Sequence, residues 1–293
     1  MLKRISAHCA ILMLFLAMPQ IASAQAASPG KIDWQVGEEL YYKVKYTFLT
    51  VGSLYFQVLG EENVRGQKTY HCKMHMKSSS AIPFVNLNDI YESYIDADSV
   101  YAHRFQALEN QGDYNLYSLY EMDYKAGKIH IIMEKWYKDG SDSVRVKDST
   151  AVLDSRVQDG LSLLFYARAN ARKSVPQDVP VFAFNEMKST MINFTGRAEE
   201  VKPRGVKVDG YFLDGKMKFV GIAGVKEDFE GWFSPDGQSV PLHAKMKAFI
   251  GSVKINLEWW RNWQGENLLG PEAIEENEKK VKEYLEKRYD ENS

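Results

Sequence analysis

Alternation of apolar and polar side chains with a period of two constrains this chain more than any other feature. Such alternation is typical of β-strands that turn one face toward a core. Clear examples are the apolar sets Leu40, Tyr42, Val44, Tyr46 and Phe48; Tyr114, Leu116, Tyr120, Met122 and Tyr124; and Val253, Ile255, Leu257 and Trp259. The pattern predicts a mostly β protein, in which the intervening polar residues face water or an interior ligand cavity.

Turn sequences separate the alternating runs. The segment Asn63–Gln67, which contains Gly66, has the composition of a turn. Asp-Gly pairs are a strong signal for a short hairpin turn, and they lie between runs at Asp139-Gly140, Asp214-Gly215 and Asp236-Gly237. Strands joined by such short turns are antiparallel. The sequence therefore predicts a hairpin at each of these positions.

One helix interrupts the strands. Asp159 is predicted to cap the N-terminus of a helix that runs to Arg168, because a carboxylate accepts hydrogen bonds from free backbone N–H groups. Helical spacing gives this segment one face that must pack on the sheet, formed by Val157, Leu161, Leu164, Phe165 and Arg168. Pro176 and Pro180 are predicted to close the connection that follows. The predicted fold is one large curved antiparallel sheet or partly open barrel, with one packed helix and a C-terminal helix.

The N-terminus has the three parts of a secretory signal peptide. These are the basic residues Lys3 and Arg4, an apolar run over residues 10–18, and the small-residue site Ala22-Ser23-Ala24. The apolar run is too short to span a bilayer, which takes roughly 20 residues. Residues 1–24 are therefore predicted to be removed on export, and an uncleaved membrane anchor is the alternative.

The C-terminus is predicted to differ from the β-rich domain, which is assigned to residues 25–270. Residues 271–293 are rich in Glu and Lys with scattered apolar positions, a composition that favours a helix. This charged helical tail either docks along Ile274, Val281 and Leu285 or is solvated, and the sequence leaves both alternatives open.

Net charge and cysteine content limit the classes of partner. The chain has 37 Lys and Arg against 39 Asp and Glu, and loss of Lys3 and Arg4 with the signal peptide leaves 35 against 39, a net charge of −4. This mild acidity argues against a nucleic-acid partner. The mature chain has no stretch that is apolar over a membrane-spanning length. Its single cysteine, Cys72, can form no intramolecular disulfide.

Three segments together resemble a known family. They are Gly37-Glu38-Glu39-Leu40-Tyr41-Tyr42 leading to Phe48, Val51 and Gly52; Asp159-Gly160-Leu161-Ser162-Leu163-Leu164-Phe165-Tyr166-Ala167-Arg168; and Trp232-Phe233-Ser234-Pro235-Asp236 with Pro241, followed by Gly251-Ser252-Val253-Lys254-Ile255. In this order and spacing they are similar to the exported bacterial domain-of-unknown-function family 3108, over residues 32–260. The resemblance implies an exported, β-rich protein in the periplasm or cell envelope of a Gram-negative bacterium. It implies no catalytic residue, cofactor or substrate.

Sequence motifs of common enzymes and metal sites are absent. The chain contains no G-x-S-x-G, H-E-x-x-H, P-loop or G-x-G-x-x-G motif. The nearest approach to a set of metal ligands is His71, Cys72 and His75. On a strand the two histidines would lie roughly 13 Å apart, with Cys72 on the opposite face. No metal site and no cofactor are therefore predicted, and Cys72 is predicted to lie in the core.

Aromatic residues provide the candidates for ligand binding. Tyr117 and Tyr120 lie on a predicted strand, and the adjacent Trp259 and Trp260 must face opposite sides of another. Exposed rings can stack on sugars or contact acyl chains, so these four residues are the predicted ligand-binding set. Packing beneath the tail helix explains the two tryptophans equally well.

A non-catalytic function is favoured, because a large β scaffold without paired catalytic groups is more often a binder. The leading hypothesis is a binding or assembly module of the cell envelope, whose partner is a lipid or other hydrophobic ligand, a glycan or an envelope protein. One alternative is an envelope hydrolase with a dispersed site, for which the candidates are Asp89, Glu92, Glu121 and His130. The other alternative is a purely structural subunit of an envelope complex.

Overall fold

A computed structural model describes residues 34–80, 82, 85–217, 228–247 and 251–291. The predicted signal peptide lies outside these residues. The described strands form a single 14-stranded sheet. The strands are β1 Glu39–Tyr46, β2 Leu49–Val64, β3 Gln67–Ser78, β4 Asn88–Asp96, β5 Ala102–Asn110, β6 Tyr114–Asp123, β7 Lys128–Tyr137, β8 Val144–Val152, β9 Ser174–Ala183, β10 Glu186–Val201, β11 Val208–Met217, β12 Asp228–Phe233, β13 Pro241–Lys247 and β14 Ser252–Arg261. The described residues also include two α-helices, α1 Ser162–Asn170 and α2 Gly270–Glu291.

The sheet consists of two meanders joined side by side. Strands β1 to β8 are neighbours in chain order, and so are β9 to β14. The two halves meet where β1 pairs antiparallel with β14, with Glu39 opposite Arg261 and Tyr46 opposite Val253. This order leaves β8 and β9 as the two edge strands, with α1 between them along the chain.

The two ends of the sheet curve toward each other around α1. Tyr120 of β6 contacts Phe182 of β9 edge-on, with ring centroids 5.1 Å apart. The Asn185 side-chain nitrogen lies 3.5 Å from the Met133 sulfur of β7. Before α1, Gln158 forms backbone hydrogen bonds with β9. The prediction of one large curved antiparallel sheet or partly open barrel, with one packed helix and a C-terminal helix, is confirmed, and the sheet is open between β8 and β9.

Helix α1 fills the interior of the curved sheet. Phe165 is buried, and its ring centroid lies 4.8 Å from that of Trp34. The Trp34 ring in turn contacts Tyr70 of β3, with centroids 5.1 Å apart. The inner-face positions of the alternating strands supply the rest of this core, as the alternation requires. Leu40, Tyr42, Phe56 and Val58 are examples.

Asp159 caps α1 as predicted. Its Oδ1 accepts hydrogen bonds from the backbone N–H groups of Leu161 and Ser162, at 2.8 and 2.7 Å. Its Oδ2 accepts a 2.6 Å hydrogen bond from the Ser93 hydroxyl of β4. The carboxyl group therefore fixes both the start of the helix and its position on the sheet. Burial raises the pKa of Asp159 to about 6, although these hydrogen bonds act in the opposite direction.

The prediction of a hairpin turn at Asp214-Gly215 is wrong. Both residues lie inside β11, where Asp214 pairs with Glu230 and Gly215 pairs with Phe229 of β12. A Cβ atom at Gly215 would lie 2.2 Å from the Phe229 ring. The glycine is thus needed for close packing across the ladder, rather than for a change of direction. Asp139-Gly140 and Asp236-Gly237 do lie between strands, as predicted.

The position predicted for the two prolines is also wrong. Pro176 and Pro180 do not close a connection but lie within β9, opposite Asn193 and Ser189 of β10. They are tolerated because β9 is an edge strand, where a missing N–H group does not break a second ladder. Phe48, the last member of the first alternating run, lies in the β1–β2 turn and is 86% exposed.

The C-terminal helix docks on the outer face of the sheet. Ala273 and Asn277 are buried, and the Tyr284 ring lies 4.8 Å from that of Trp259. The Asn277 amide bonds to both the N–H and the carbonyl of Trp260, at 2.9 and 3.0 Å, beyond the point where β13 stops pairing with β14. Leu285 is 41% exposed, so the docked face differs from the predicted one. Neither described helix has the length and apolarity to cross a membrane.

A candidate ligand cavity beside the open side of the sheet

A cavity of about 250 Å³ lies inside the sheet, beside its open side. One wall is the inner face of β3 to β7, and the opposite wall is the hairpin that joins β9 to β10. Most of the lining is apolar, and its larger members are Met74, Phe105, Leu116, Tyr120, Met133 and Phe182.

Small side chains create the space. Ala107 of β5 pairs with Tyr91 of β4 on one side and with Ser118 of β6 on the other. Ala107 and Ser118 are therefore side by side on the inner face of the sheet, and Gly160 faces them from the segment before α1. Large residues at these positions would fill the cavity, because the surrounding rings are already closely packed.

A cluster of polar groups lies at one part of the cavity wall. The Tyr91 hydroxyl is 3.1 Å from Glu109 Oε1 and 3.4 Å from Asp89 Oδ2, and it can donate its proton to one of them at a time. The other Asp89 oxygen accepts a 2.8 Å hydrogen bond from the backbone N–H of Asn110. Burial raises the pKa of Glu109; the hydrogen bond from Tyr91 opposes this effect, and the charge of Asp89 adds to it.

The tip of the β9–β10 hairpin forms the rim of the cavity. Phe184 and Asn185 both have left-handed backbone angles, with φ of 53° and 62°. These two residues form the tight turn between the paired residues Ala183 and Glu186, and a two-residue hairpin turn needs left-handed angles at both positions. The Phe184 side chain is exposed at the rim, whereas Asn185 Oδ1 is buried. Burial raises the pKa of Tyr120 to about 12, and a hydrogen bond from the Asn185 backbone acts in the opposite direction.

The structure does not bring the four predicted ligand-binding residues together. Tyr120 lines the cavity. Tyr117 faces outward and stacks on Trp136, with ring centroids 4.6 Å apart. Trp259 is buried on the outer face beneath α2 and stacks on Tyr41 at 5.2 Å. Trp260 is buried on the opposite face, where its indole N–H donates to Glu266 at 2.7 Å.

The other cavity residues carry no sequence signal that reveals them. Ala107, Glu109, Ser118 and Asn185 belong to no motif, and their side chains come together only through the pairing of β4, β5 and β6 and the curvature that brings the β9–β10 hairpin near. Alternation does assign Ala107 and Glu109 to one face of β5, but it cannot distinguish a packed inner face from one with a cavity.

The residues considered for a hydrolase do not form one site. Asp89 lies at the cavity cluster. Glu92 pairs with His71 at 2.8 Å, Glu121 with Arg104 at 2.9 Å, and His130 with Asp148 at 2.9 Å. Each of these three pairs lies on the outer face of the sheet, as the alternation of β4 to β7 requires.

The His71, Cys72 and His75 side chains are also separated. Cys72 is fully buried, which confirms its predicted place in the core. His75 contacts the side chain of Asn88 at 2.8 Å, whereas His71 lies between Glu62 and Glu92. Within the described part of the chain, no three potential metal ligands form a group.

The three segments that carry the family resemblance meet in the core around one ion pair. Arg168 of α1 binds Glu38 with both terminal nitrogens, at 2.7 and 2.8 Å. Gln238, which lies between Asp236 and Pro241 of the third segment, donates to Glu38 at 3.1 Å and accepts from Arg168 through its backbone carbonyl at 3.0 Å. All three side chains are buried. The convergence gives these segments a structural role in joining α1 to both meanders.

A wider depression of about 610 Å³ lies at the ends of β11 to β14. Four charges of its wall are paired with one another, Lys245 with Glu230 at 3.3 Å and Lys247 with Asp228 at 3.1 Å. Asp214 of the same wall accepts a hydrogen bond from Asn193 at 3.0 Å. The more apolar cavity inside the sheet is therefore the stronger candidate for a ligand site.

The fold and cavity define a class of antiparallel β protein in which one curved sheet wraps around a helix and leaves an apolar space inside. The chain belongs to the DUF3108 family, described as a protein of unknown function, whose match covers residues 41–258. It is also similar in fold to the crystal structure of a beta-barrel-like protein of domain of unknown function DUF1849 from Brucella abortus. That similarity has a TM-score of 0.53 at 10% identity and covers 81% of this chain and 100% of the other. No curated protein matches the sequence.

Proposed function

We propose that this protein is a non-catalytic binding module whose internal cavity holds a hydrophobic ligand. The observation that carries the proposal is the apolar wall around a space kept open by Ala107, Ser118 and Gly160. Ligand sites are typically concave and mostly apolar, with a few polar groups that fix orientation. A volume of about 250 Å³ suits one chain or ring, and the rest of a larger ligand would extend past Phe184 at the rim.

The same features support this function over its alternatives. A glycan site needs many hydrogen-bonding groups around the ligand, whereas the cavity wall is mainly apolar. A hydrolase needs an acid and a base within reach of one bond, and Glu92, Glu121 and His130 are engaged in ion pairs on the outer face. A purely structural subunit has no need of an internal cavity, which costs packing energy.

Filling the cavity should abolish ligand binding. We expect Ala107→Phe to weaken binding of the apolar fluorophore N-phenyl-1-naphthylamine by at least about tenfold, or 1.4 kcal/mol, because the added ring occupies the space beside Ser118. The matched control is Gln106→Phe, which adds the same ring at the preceding residue of β5, whose side chain is on the outer face. Fluorescence titration of the purified variants measures the dissociation constants.

Circular dichroism and thermal unfolding establish whether both variants fold. If Ala107→Phe does not fold, Ser118→Leu replaces it as the test variant, because leucine fills less of the same space. Equal affinity of the folded cavity variant, the control and the unmodified protein would place the fluorophore elsewhere and contradict the proposed site.

We also propose that the protein acts after export, in the periplasm or cell envelope. Lys3, Arg4 and the small-residue site ending at Ala24 support this location. N-terminal sequencing of the protein from the exported fraction is expected to begin at Gln25 or within a few residues of it. Recovery of the intact N-terminus at Met1 from that fraction would contradict removal of residues 1–24.

A further inference from the structure

Two acidic groups at the cavity have no basic partner among the residues that the structure describes. Glu109 lines the cavity and Asp89 is buried beside it, linked to it through Tyr91. Neither carboxylate forms an ion pair with any Lys, Arg or His among the described residues. Buried acids such as Asp89 are normally paired, as Glu38 is with Arg168 in the same core, and Glu109 is half-buried.

Two further polar groups in the cavity lack hydrogen-bond partners. Ser118 is only 4% exposed and its side chain lines the cavity, yet its hydroxyl forms no hydrogen bond within the described part of the chain. Asn185 Oδ1 is also buried without a donor from the described residues. Buried polar atoms nearly always have a partner, so the Asn185 oxygen is an exception, whereas the Ser118 hydroxyl keeps contact with the cavity space. These groups are independent of the acidic pair, since they come from β6 and from the β9–β10 hairpin.

All of these side chains can be satisfied by one kind of ligand group, a positively charged hydrogen-bond donor. A carboxylate without a counter-ion requires positive charge, and the side-chain carbonyl of Asn185 requires a hydrogen-bond donor. A hydroxyl such as that of Ser118 can accept from the same donor. A primary ammonium group supplies one positive charge and three N–H donors, whereas a carboxylate or phosphate group would be repelled by Glu109 and Asp89.

We infer that the cavity selects hydrophobic ligands that carry a protonated amine, with Glu109 as the counter-ion of the ammonium group and Ser118 and Asn185 as hydrogen-bond acceptors. This inference rests on the proposed function and names the chemical class of its ligand. The alkyl part of such a ligand lies against the apolar wall formed by Phe105, Leu116 and Phe182. Pairing with Glu109 offsets the cost of removing the ammonium group from water.

Three probes with the same alkyl chain separate the effect of the charged end from that of the chain. Decylamine, decanol and decanoate are each titrated against bound N-phenyl-1-naphthylamine at pH 7.5. We expect decylamine to bind at least about tenfold more tightly than decanol, which is the difference that one well-placed charged contact supplies. Decanoate is expected to bind most weakly. Glu109→Gln should weaken decylamine binding by about tenfold and leave decanol binding unchanged within about twofold.

The matched control is Glu121→Gln, which removes an acid from the outer face at a half-exposed ion pair and should leave all three affinities unchanged. Asp89→Asn is the second test variant, and the probe series on the unmodified protein decides the matter if neither cavity variant folds. Displacement by all three probes with equal affinity would overturn the selectivity for amines and leave the proposed function intact. No displacement by any probe, together with fluorophore binding that is insensitive to Ala107→Phe, would overturn both.

Discussion

Replacement of Arg168 by methionine is expected to lower the free energy of unfolding by about 3–5 kcal/mol. The guanidinium group is buried and binds both oxygens of Glu38, which is buried as well. Its removal leaves the Glu38 carboxylate in the core with only the Gln238 amide as a partner. The cost is therefore that of an unpaired buried charge rather than that of one lost hydrogen bond.

Urea-induced unfolding measures this effect, and a control separates it from the loss of any ion pair. Arg104→Met removes one of the two arginines that pair with Glu121 at a partly exposed position, where the expected cost is below about 1 kcal/mol. The double variant Glu38→Gln with Arg168→Met removes the unpaired charge and should recover part of the stability. A loss below about 1 kcal/mol for Arg168→Met would show that water reaches Glu38 and that the pair does not hold α1 in place.

Phe165→Ala is expected to destabilise the protein by about 3–5 kcal/mol, the usual cost of removing a buried aromatic ring. Phe165 is 1% exposed and packs against Trp34 at 4.8 Å, in the space where α1 meets the inner face of the sheet. The surrounding strands are paired on both sides and cannot collapse into the resulting space, so most of the cavity would remain.

The control for this variant is Phe48→Ala, because it removes the same ring from an 86% exposed position in the β1–β2 turn. Its effect on the free energy of unfolding should stay within about 0.5 kcal/mol. Similar losses for the two variants would mean that α1 contributes little to the core.

The sequence predicts the local structure well and the long-range arrangement poorly. Alternation identifies the strands, and Asp159 marks the start of α1, because both signals act between residues close in the chain. The same local logic fails at Asp214-Gly215, since the need for glycine comes from the Phe229 ring on a neighbouring strand. It also cannot reveal that Pro176 lies on an edge strand, because edge position is a property of the completed sheet.

The cavity is less predictable than the fold for the same reason. Tyr120 is predicted from the sequence because it is aromatic, but Ala107 and Ser118 are ordinary small residues in strands. Their importance arises from their registry with Tyr91 and Met133. Glu109 resembles any surface acid in the sequence, and only the folded sheet shows that its neighbours among the described residues are Tyr91 and Asp89.

The pairing of β1 with β14 has a consequence for how the chain folds. Every other ladder of the sheet joins strands that follow one another along the chain, so each meander can form from nearby segments. The β1–β14 ladder instead joins residues as far apart as Glu39 and Arg261, which are 222 positions apart. Closing so large a loop is entropically costly and slow. The last strand must therefore emerge before the first gains its second neighbour, and until then β1 presents an unpaired edge that other chains can bind.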